Sequence, residues 1–219
     1  MSATSRGVAA AAAAVGLALG AWPVAAQHLT LAGTLSFAEL RVDAGFGLER
    51  TAGMIGGASL GGRLGNLDLQ AQVRTGRLVL RSATGSDLEM GELGLGASWW
   101  LHPWIALRGA ALVRGYSADV GQQRWRMAEL GAELQVPFAA GRVHGTLRGG
   151  WRPAVTVSGL SRPSTAFVAA AGTEYDVTHF SFAILYELER DDFPPQGGMA
   201  RFEQLSSLTV QGSFHPTGR

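Results

Sequence analysis

Apolar and polar residues alternate with a period of two along most of the chain. In the segment 143–157, Val143, Leu147 and Trp151 alternate with polar positions such as Arg148 and Arg152. The segments 128–138 and 180–189 repeat this pattern. Because successive side chains of a strand point to opposite faces of a sheet, the pattern predicts β-strands with one apolar and one polar face.

The same alternation predicts about ten strands. They lie near residues 37–48, 53–64, 67–80, 88–101, 104–117, 124–137, 142–157, 165–175, 179–190 and 201–214. The second is the weakest because its glycines blur the alternation, so eight strands remain an alternative. Most segments reach the length of about 9–11 residues that a tilted strand needs to cross a membrane. The predicted fold is therefore all-β, a single closed antiparallel transmembrane β-barrel.

The connections between these segments alternate in length. Tight connections are expected at 65–66, 102–103, 139–141 and 176–178, and longer ones at 81–87, 118–123, 158–164 and 191–200. The connection at 50–52 is short where a long one is expected. Barrels of the bacterial outer membrane have tight turns at one end and longer loops at the other. The alternation predicts an even number of strands, with the barrel beginning and ending at the tight-turn end.

The first residues have the pattern of an export signal. Arg6 precedes an apolar run over 8–22, and Val24, Ala25 and Ala26 are small residues suited to a cleavage site. We therefore predict a signal peptide at 1–26 and one barrel domain at 27–219. After residue 26 no apolar stretch approaches the length of about 20 residues that a membrane-spanning helix needs. The chain has no cysteine, so disulfides contribute nothing to its stability.

Composition and charge argue against several partners. The chain contains 31 glycines and is 47% hydrophobic, which disfavours a helical protein. Its formal net charge is +1, and all its basic residues are arginines. No nucleic-acid partner is expected from this balance. His28, His102, His144 and His215 lack metal-ligand spacing, so neither a metal site nor a cofactor is predicted.

Aromatic residues cluster near the ends of the predicted strands, as girdles at two membrane interfaces would. Those near the tight turns are Trp99, Trp100, Trp104, Phe138, Tyr175, Phe180 and Phe214. Those near the other end are Tyr116, Trp125, Trp151, Phe167, Tyr186 and Phe202. The middles of the strands are mostly Ala, Gly, Leu and Val, which fits a lipid-facing band.

The signal peptide, the alternating strands and a last strand, 208–214, that ends on Phe214 together resemble the bacterial outer-membrane β-barrel superfamily. The resemblance covers nearly all of the predicted mature chain and is architectural. It implies the outer membrane of a Gram-negative, diderm bacterium, with outer-membrane lipid and the barrel-assembly machinery as partners. Members usually finish on the terminal aromatic residue, whereas this chain continues through residues 215–219. The resemblance implies no catalytic residue.

If the apolar faces contact lipid, the charged faces line the lumen. The expected inward charges are Glu39, Arg41, Asp43, Arg63, Asp68, Arg74, Glu92, Arg108, Arg114, Glu129, Glu133, Arg148, Arg152, Glu174, Glu187, Glu189 and Glu203. Both signs are present, so arginine–carboxylate pairs are expected to fill a narrow lumen. Specifically, we expect Arg108, Arg148 and Arg152 to pair with Glu129 and Glu133 on the strand between them.

One pattern suggests catalysis. His179 and Ser181 lie two residues apart on one strand face, where an acid such as Glu187 could complete a set for nucleophilic hydrolysis. The pair faintly resembles the His-x-Ser element of outer-membrane lipid A deacylases, although Phe182 stands where those enzymes usually have Asn. The site would also lie at the periplasmic end, away from that substrate.

Two other patterns favour structural interpretations. The glycine-rich run 56–62 lacks the lysine of a phosphate-binding loop and is expected to be a strand. Asp191 and Asp192 are expected at a solvated loop tip beside two prolines.

The sequence therefore favours a small, porin-like outer-membrane barrel without enzymatic activity, acting structurally or as a narrow passage with a charge-filled lumen. Two alternatives stay open. One is an outer-membrane lipid hydrolase similar to lipid A deacylases. The other is a soluble periplasmic barrel that binds a small ligand, in which the apolar faces would point inward.

Overall fold

Ten antiparallel strands make up almost all of the described chain. The computed structural model describes residues 28–45, 47–82, 85–118 and 121–216. The strands are β1 (His28–Asp43), β2 (Leu48–Leu64), β3 (Leu67–Leu80), β4 (Leu88–His102), β5 (Ile105–Ala118), β6 (Gly121–Phe138), β7 (Val143–Val157), β8 (Thr165–Val177), β9 (Phe180–Gln196) and β10 (Met199–Phe214). A 3₁₀ turn, Ala139–Gly141, joins β6 to β7. Among these residues no helix is long and apolar enough to cross a membrane.

Each strand pairs with the strands before and after it in sequence, and β1 also pairs with β10. The closing register aligns Leu35 with Val210 and Leu40 with Leu205. Closure leaves no free sheet edge, so every strand has hydrogen-bonding neighbours on both sides. The predicted all-β, closed, antiparallel barrel of ten strands is confirmed, and the alternative of eight strands is wrong. The predicted signal peptide at 1–26 lies outside the described residues.

The two ends of the barrel have different connections. At the turn end, the connections are 65–66, 103–104, 139–142 and 178–179, and β1 begins and β10 ends there. At the loop end, two connections are seven residues long, 81–87 and 158–164, and the others are shorter. The expected alternation of tight and long connections therefore holds for only part of the loop end.

The expectation of a long loop over 191–200 is wrong. β9 continues to Gln196, β10 begins at Met199, and Gly197 and Gly198 form the turn with positive φ values of 59° and 80°. Glycine accepts these angles without steric cost, which suits a two-residue hairpin turn. Asp191 is buried in the lumen 3.4 Å from the guanidinium of Arg152. The acidic pair suggested a loop because the partner of Asp191 is distant in sequence.

The first hairpin also differs from expectation. β1 covers His28–Asp43 and is joined to β2 by residues 44–47, so the expected strand at 37–48 and connection at 50–52 are both displaced. Ala38 and Leu40 are buried inside the barrel. Glu39 and Arg41 have the opposite parity and face outward, where they form an ion pair of 2.7 Å. Their expected inward orientation is wrong. Charges near a strand end can face outward at the loop end, and at this level the lumen is apolar.

Candidate functional site

The outer wall of the barrel is apolar and its interior is polar over about half its length. Leu95, Leu147 and Ile184 are more than half exposed on the outside, while Glu92 and Arg114 are buried inside. Other large apolar side chains exposed on the wall include Leu31, Leu35, Phe37, Leu107, Val113, Leu130, Phe182, Tyr186, Leu208 and Val210. The alternation along the strands therefore separates an apolar exterior from an interior that holds the buried charges.

Most aromatic residues expected in girdles are exposed on the wall. At the turn end these are Trp99, Trp104, Phe138, Tyr175, Phe180 and Phe214, and toward the loop end Trp151, Phe167 and Tyr186. Trp100, Tyr116 and Trp125 are instead buried in the lumen, so their assignment to the girdles is wrong. Trp100 donates a 2.5 Å hydrogen bond from its indole Nε1 to Asp68. Along their strands these three rings alternate in step with the inward-facing polar residues, so they face the lumen. Their aromatic character alone does not show this.

The loop half of the lumen is filled by a mostly apolar cluster. The apolar cluster comprises Ala38, Leu40, Ile55, Leu78, Met90, Leu112, Tyr116, Trp125, Met127, Val155, Val157, Phe193 and Leu205. Trp125 and Phe193 meet edge to face with ring centroids 6.0 Å apart. They lie on β6 and β9, which are not neighbours in the sheet, so this contact crosses the lumen. Sequence reasoning expected charges to fill the lumen and missed this cluster.

A network of ion pairs lies next to the apolar cluster. The charge belt comprises Arg74, Glu92, Arg114, Arg152, Glu187, Glu189 and Asp191. Arg114 is 2.6 Å from Glu92 and 2.8 Å from Glu189. Arg152 is 2.6 Å from the other carboxylate oxygen of Glu189. Arg74 is 2.5 Å from Glu92 and 3.5 Å from Glu187.

Several bonds of the charge belt cross the lumen. Arg114 lies on β5 and Glu189 on β9, with three strands between them. Glu92, Arg114, Arg152 and Glu189 are almost fully buried. Such charges must be paired, because a buried guanidinium or carboxylate without a partner costs several kcal/mol. The belt therefore fixes opposite walls of the barrel against each other, although Arg152 Nε and Asp191 Oδ1 are buried without a hydrogen-bond partner among the described residues.

The residues expected to form the lumen network are placed together. Arg108 and Arg148 flank Glu133, at 2.8 and 3.0 Å from the same oxygen, Oε2. The other oxygen accepts a 2.9 Å hydrogen bond from Gln135. Arg152 is 3.6 Å from Glu129, but its shortest ion pair is with Glu189. The pairs at Glu133 join neighbouring strands, so they can be predicted from the order of the strands in the sequence. The partners across the lumen cannot, because they come together only when the barrel closes.

The turn half of the lumen contains a cavity of about 650 Å³, here called the cup. Its wall reaches the turn end at His28, His144 and Asp176, and its inner end is formed by residues that include Leu112 and Arg152. Hydroxyl groups line the wall formed by β1, β2 and β10, namely Thr30, Thr34, Ser36, Ser59, Thr209 and Ser213. The guanidinium groups of Arg108 and Arg148 line the other side. The cup is therefore a polar recess in front of the charge belt.

The catalytic candidates are not brought together. His179 contacts the backbone carbonyl of His215 through Nδ1 at 3.2 Å. Ser181 instead lies 3.3 Å from Nε2 of His215, whose Nδ1 is 3.1 Å from the hydroxyl of Thr30. Glu187 is paired with Arg74 in the charge belt. The expected set of His179, Ser181 and Glu187 is thus wrong as a geometric unit.

Ser181 does have a histidine neighbour, but its surroundings favour a structural role. Its side chain is about 1% exposed, which leaves no room for a substrate at Oγ. The hydrogen bonds of His215 join the ends of β1, β9 and β10, where the barrel closes. At the same end His144 and Asp176 form a 3.0 Å contact across β7 and β8. Among the described residues, no group of three or more His, Cys, Asp or Glu side chains is arranged to hold a metal ion.

No family model matches the chain, and no curated protein is significantly similar to it in sequence. Its structure is similar to that of the outer membrane protease OmpT from Escherichia coli, with a TM-score of 0.61 and 10% identity over 86% of this chain and 97% of that chain. The beta domain of the Bordetella autotransporter BrkA matches with a TM-score of 0.46 and 14% identity over 85% of this chain and 98% of that chain. The translocator domain of autotransporter NalP from Neisseria meningitidis matches with a TM-score of 0.45 and 16% identity over 95% and 97% of the respective chains.

At these identities the likeness concerns the fold alone, and the match to OmpT is the one of these three that carries weight. The expected resemblance to outer-membrane β-barrels is confirmed at that level. No catalytic or binding residue is transferred by it.

Proposed function

We propose that this protein is a small outer-membrane β-barrel whose lumen is closed by its own side chains, and that it acts as a structural membrane protein without catalysis. The observation that carries the proposal is the distribution of side chains, which is the reverse of that in a water-soluble protein. Large apolar side chains cover the outside, while Glu92, Arg114 and Glu189 are buried inside. A soluble protein rarely exposes contiguous apolar patches of this extent. A lipid bilayer removes that cost, because lipid replaces water around the wall.

The aromatic residues support the same orientation in a membrane. Exposed rings at the turn end and others toward the loop end bracket a band of Leu, Val, Ile and Ala, as in barrels with two interfacial girdles. The soluble periplasmic alternative requires the apolar faces to point inward. The exposed positions of Leu95, Leu147 and Ile184 contradict that requirement.

The filled lumen favours a closed barrel over a continuous passage. The apolar cluster occupies the loop half, and the charge belt crosses the interior beside it. The cup lies in the turn half, and a smaller recess of about 310 Å³ lies at the loop end. We therefore favour the structural role over the narrow passage, and we keep outer-membrane lipid and the barrel-assembly machinery as the proposed partners. The exposed ring of Phe214 at the end of β10 suits recognition by that machinery.

Membrane residence can be tested by folding the protein into phosphatidylcholine vesicles and measuring its heat-modifiable migration on gels. The wild type should migrate as a compact form before boiling, and the native protein should fractionate with outer membranes. Ile184→Arg, in the middle of the apolar wall, should weaken folding into vesicles by about 2–4 kcal/mol. Gln122→Arg is the matched control, since Gln122 is exposed near the loop end of β6. A wild type that stays folded and monodisperse without detergent or lipid, with Ile184→Arg neutral, would refute the proposal.

A further inference from the structure

On the outer wall near the loop end, Arg124 and Arg126 form a pair of neighbouring outward-facing arginines on one strand. Both are exposed on β6, two residues apart and on the same face. Neither guanidinium group has a hydrogen bond or ion pair among the described residues. By contrast, Arg41, Arg77 and Arg190 are paired with Glu39, Asp87 and Asp192 respectively. The two arginines of β6 therefore present unneutralised positive charge on the wall.

Beside these arginines the wall has a notch with no side chains. Gly91 on β4 is aligned with Gly115 on β5, and Gly115 is aligned with Arg124. A Cβ atom added to either glycine would meet nothing within 4 Å, so both open outward to free space. The notch is thus a shallow recess one residue deep, with a guanidinium group at its side.

The next row of the sheet, toward the turn end, is apolar. Leu93 on β4 is aligned with Val113 on β5, and Val113 is aligned with Arg126. Both apolar side chains are more than a third exposed on the wall. A molecule bound here would contact positive charge and the open notch toward the loop end, and an apolar surface toward the middle of the barrel. This is the polarity of a lipid at the membrane interface.

The site lies at the loop-end edge of the apolar wall. The next outward row toward the loop end is polar, since Glu89 on β4 is aligned with Ser117 on β5, and Ser117 is aligned with Gln122 on β6. The nearest outward carboxylate on the strands of the notch is Glu89, two residues from Gly91 and so about 7 Å along β4 from the notch, and two strands away from β6.

We propose that Arg124 and Arg126 bind the phosphate of an anionic lipid in the leaflet at the loop end, with its headgroup in the notch formed by Gly91 and Gly115 and an acyl chain along Leu93 and Val113. Guanidinium groups bind phosphate oxygens bidentately and remain charged at any physiological pH. Two of them on one face match one phosphate group. This inference rests on the proposed membrane location of the barrel.

The test uses the full protein folded in nanodiscs of phosphatidylcholine with a minor fraction of phosphatidic acid, followed by native mass spectrometry to count retained lipids. The wild type should retain phosphatidic acid in preference to phosphatidylcholine. Since each arginine near a membrane surface contributes about 1 kcal/mol of attraction, the double variant Arg124→Gln, Arg126→Gln should lose about 30-fold of that preference. Gly115→Leu should weaken retention while both arginines remain.

Two matched controls separate the site from general effects of charge and bulk. Arg142→Gln removes an exposed arginine at the turn end, and Gly149→Leu adds a side chain at an outward glycine of β7 with equal free space. Both should retain phosphatidic acid as the wild type does. Equal retention by the double variant would overturn the inference, and so would displacement of the lipid by inorganic phosphate at matched ionic strength, which would indicate a site for the free anion. A protein that fails to fold in any bilayer would instead overturn the proposed function, and the inference with it.

Discussion

The two halves of the lumen are built from the same strands but are filled in different ways. In the loop half, apolar side chains such as Leu78 and Met90 are almost completely buried and pack across the interior. In the turn half, the same strand faces carry Gln72, Ser98 and other polar residues that line the cup. The charge belt lies between these two environments, with Arg74 on the strand of Leu78 and Glu92 on the strand of Met90.

This difference shows what the charges contribute. In the charge belt, carboxylates and guanidinium groups have little contact with water and depend on each other. Around Glu133, the arginines also face the cup, where water can replace part of a lost partner. The effect of removing a charge should therefore depend on how deeply its partners are buried more than on their number.

The largest effect is expected for Glu189→Gln. Glu189 is bound by both Arg114 and Arg152. Removing its negative charge would deprive two buried guanidinium groups of an anionic partner. We expect the free energy of unfolding to fall by about 3–5 kcal/mol. The measurement is urea unfolding of the protein in vesicles, followed by heat-modifiable migration. Glu187→Gln is the control on the same strand face, because Glu187 is partly exposed and contacts Arg74 at 3.5 Å. An equal loss for both variants would contradict the dependence on burial, since both glutamates belong to the charge belt and differ in exposure.

A second prediction compares one leucine from each half. Leu78 is completely buried in the apolar cluster, so Leu78→Ala should leave a cavity and lower the free energy of unfolding by about 2–5 kcal/mol. Leu185 is partly exposed to the cup, and Leu185→Ala should lower it by less than about 2 kcal/mol. Urea unfolding checks both variants. Similar losses would mean that the cup is packed as tightly as the loop half.

A smaller effect is expected for Glu133→Gln. This change removes the charge that Arg108 and Arg148 share, but both guanidinium groups line the cup and can be hydrated. We expect a loss of about 1–3 kcal/mol in the same unfolding measurement. Adding Arg148→Gln should recover part of that loss, because one uncompensated charge is then removed. A double variant that is as unstable as the sum of the two single variants would show that these charges act independently.

The smallest effect concerns Asp87, in the connection at the loop end and outside both halves of the lumen. The backbone amide of Leu80 and the guanidinium group of Arg77 both bind its carboxylate at 2.9 Å and lower the pKa of Asp87. Because the pKa is lower in the folded state, the stabilisation is present above the unfolded pKa of about 3.9 and is lost as pH falls through the folded pKa. Asp87→Asn should flatten the pH dependence of the unfolding midpoint in that acidic range. An unchanged pH profile in the variant would exclude this contribution.

The sequence predicted the barrel well because sidedness is a local property. The alternation around Leu147, Arg148 and Ile184 needs only the period of a strand, and it placed these residues on the faces found in the structure. In the first hairpin, Glu39 and Arg41 were assumed to face inward. That assumption fails at the loop end, where the interior is apolar and outward charges lie near the end of the strand.

The site was predicted less completely because its main contacts cross the lumen. Arg108 and Arg148 were expected at Glu133 because β5, β6 and β7 are consecutive. The pairing of Arg114 with Glu189 joins strands that are brought together only by closure. The burial of Trp125 against Phe193 depends on the same closure. Neither contact leaves a local signal in the sequence.

The central claim is that side chains close the lumen, and planar-bilayer conductance tests it most directly. The wild type should give no resolvable channel, because the apolar cluster fills the loop half and the charge belt crosses the interior. The double variant Trp125→Ala, Phe193→Ala removes the ring pair that spans the lumen and should produce conducting events, whereas Thr34→Ala in the wall of the cup should stay silent. Steady ion conduction by the wild type, unchanged in the double variant, would contradict the closed barrel and favour a hydrated passage.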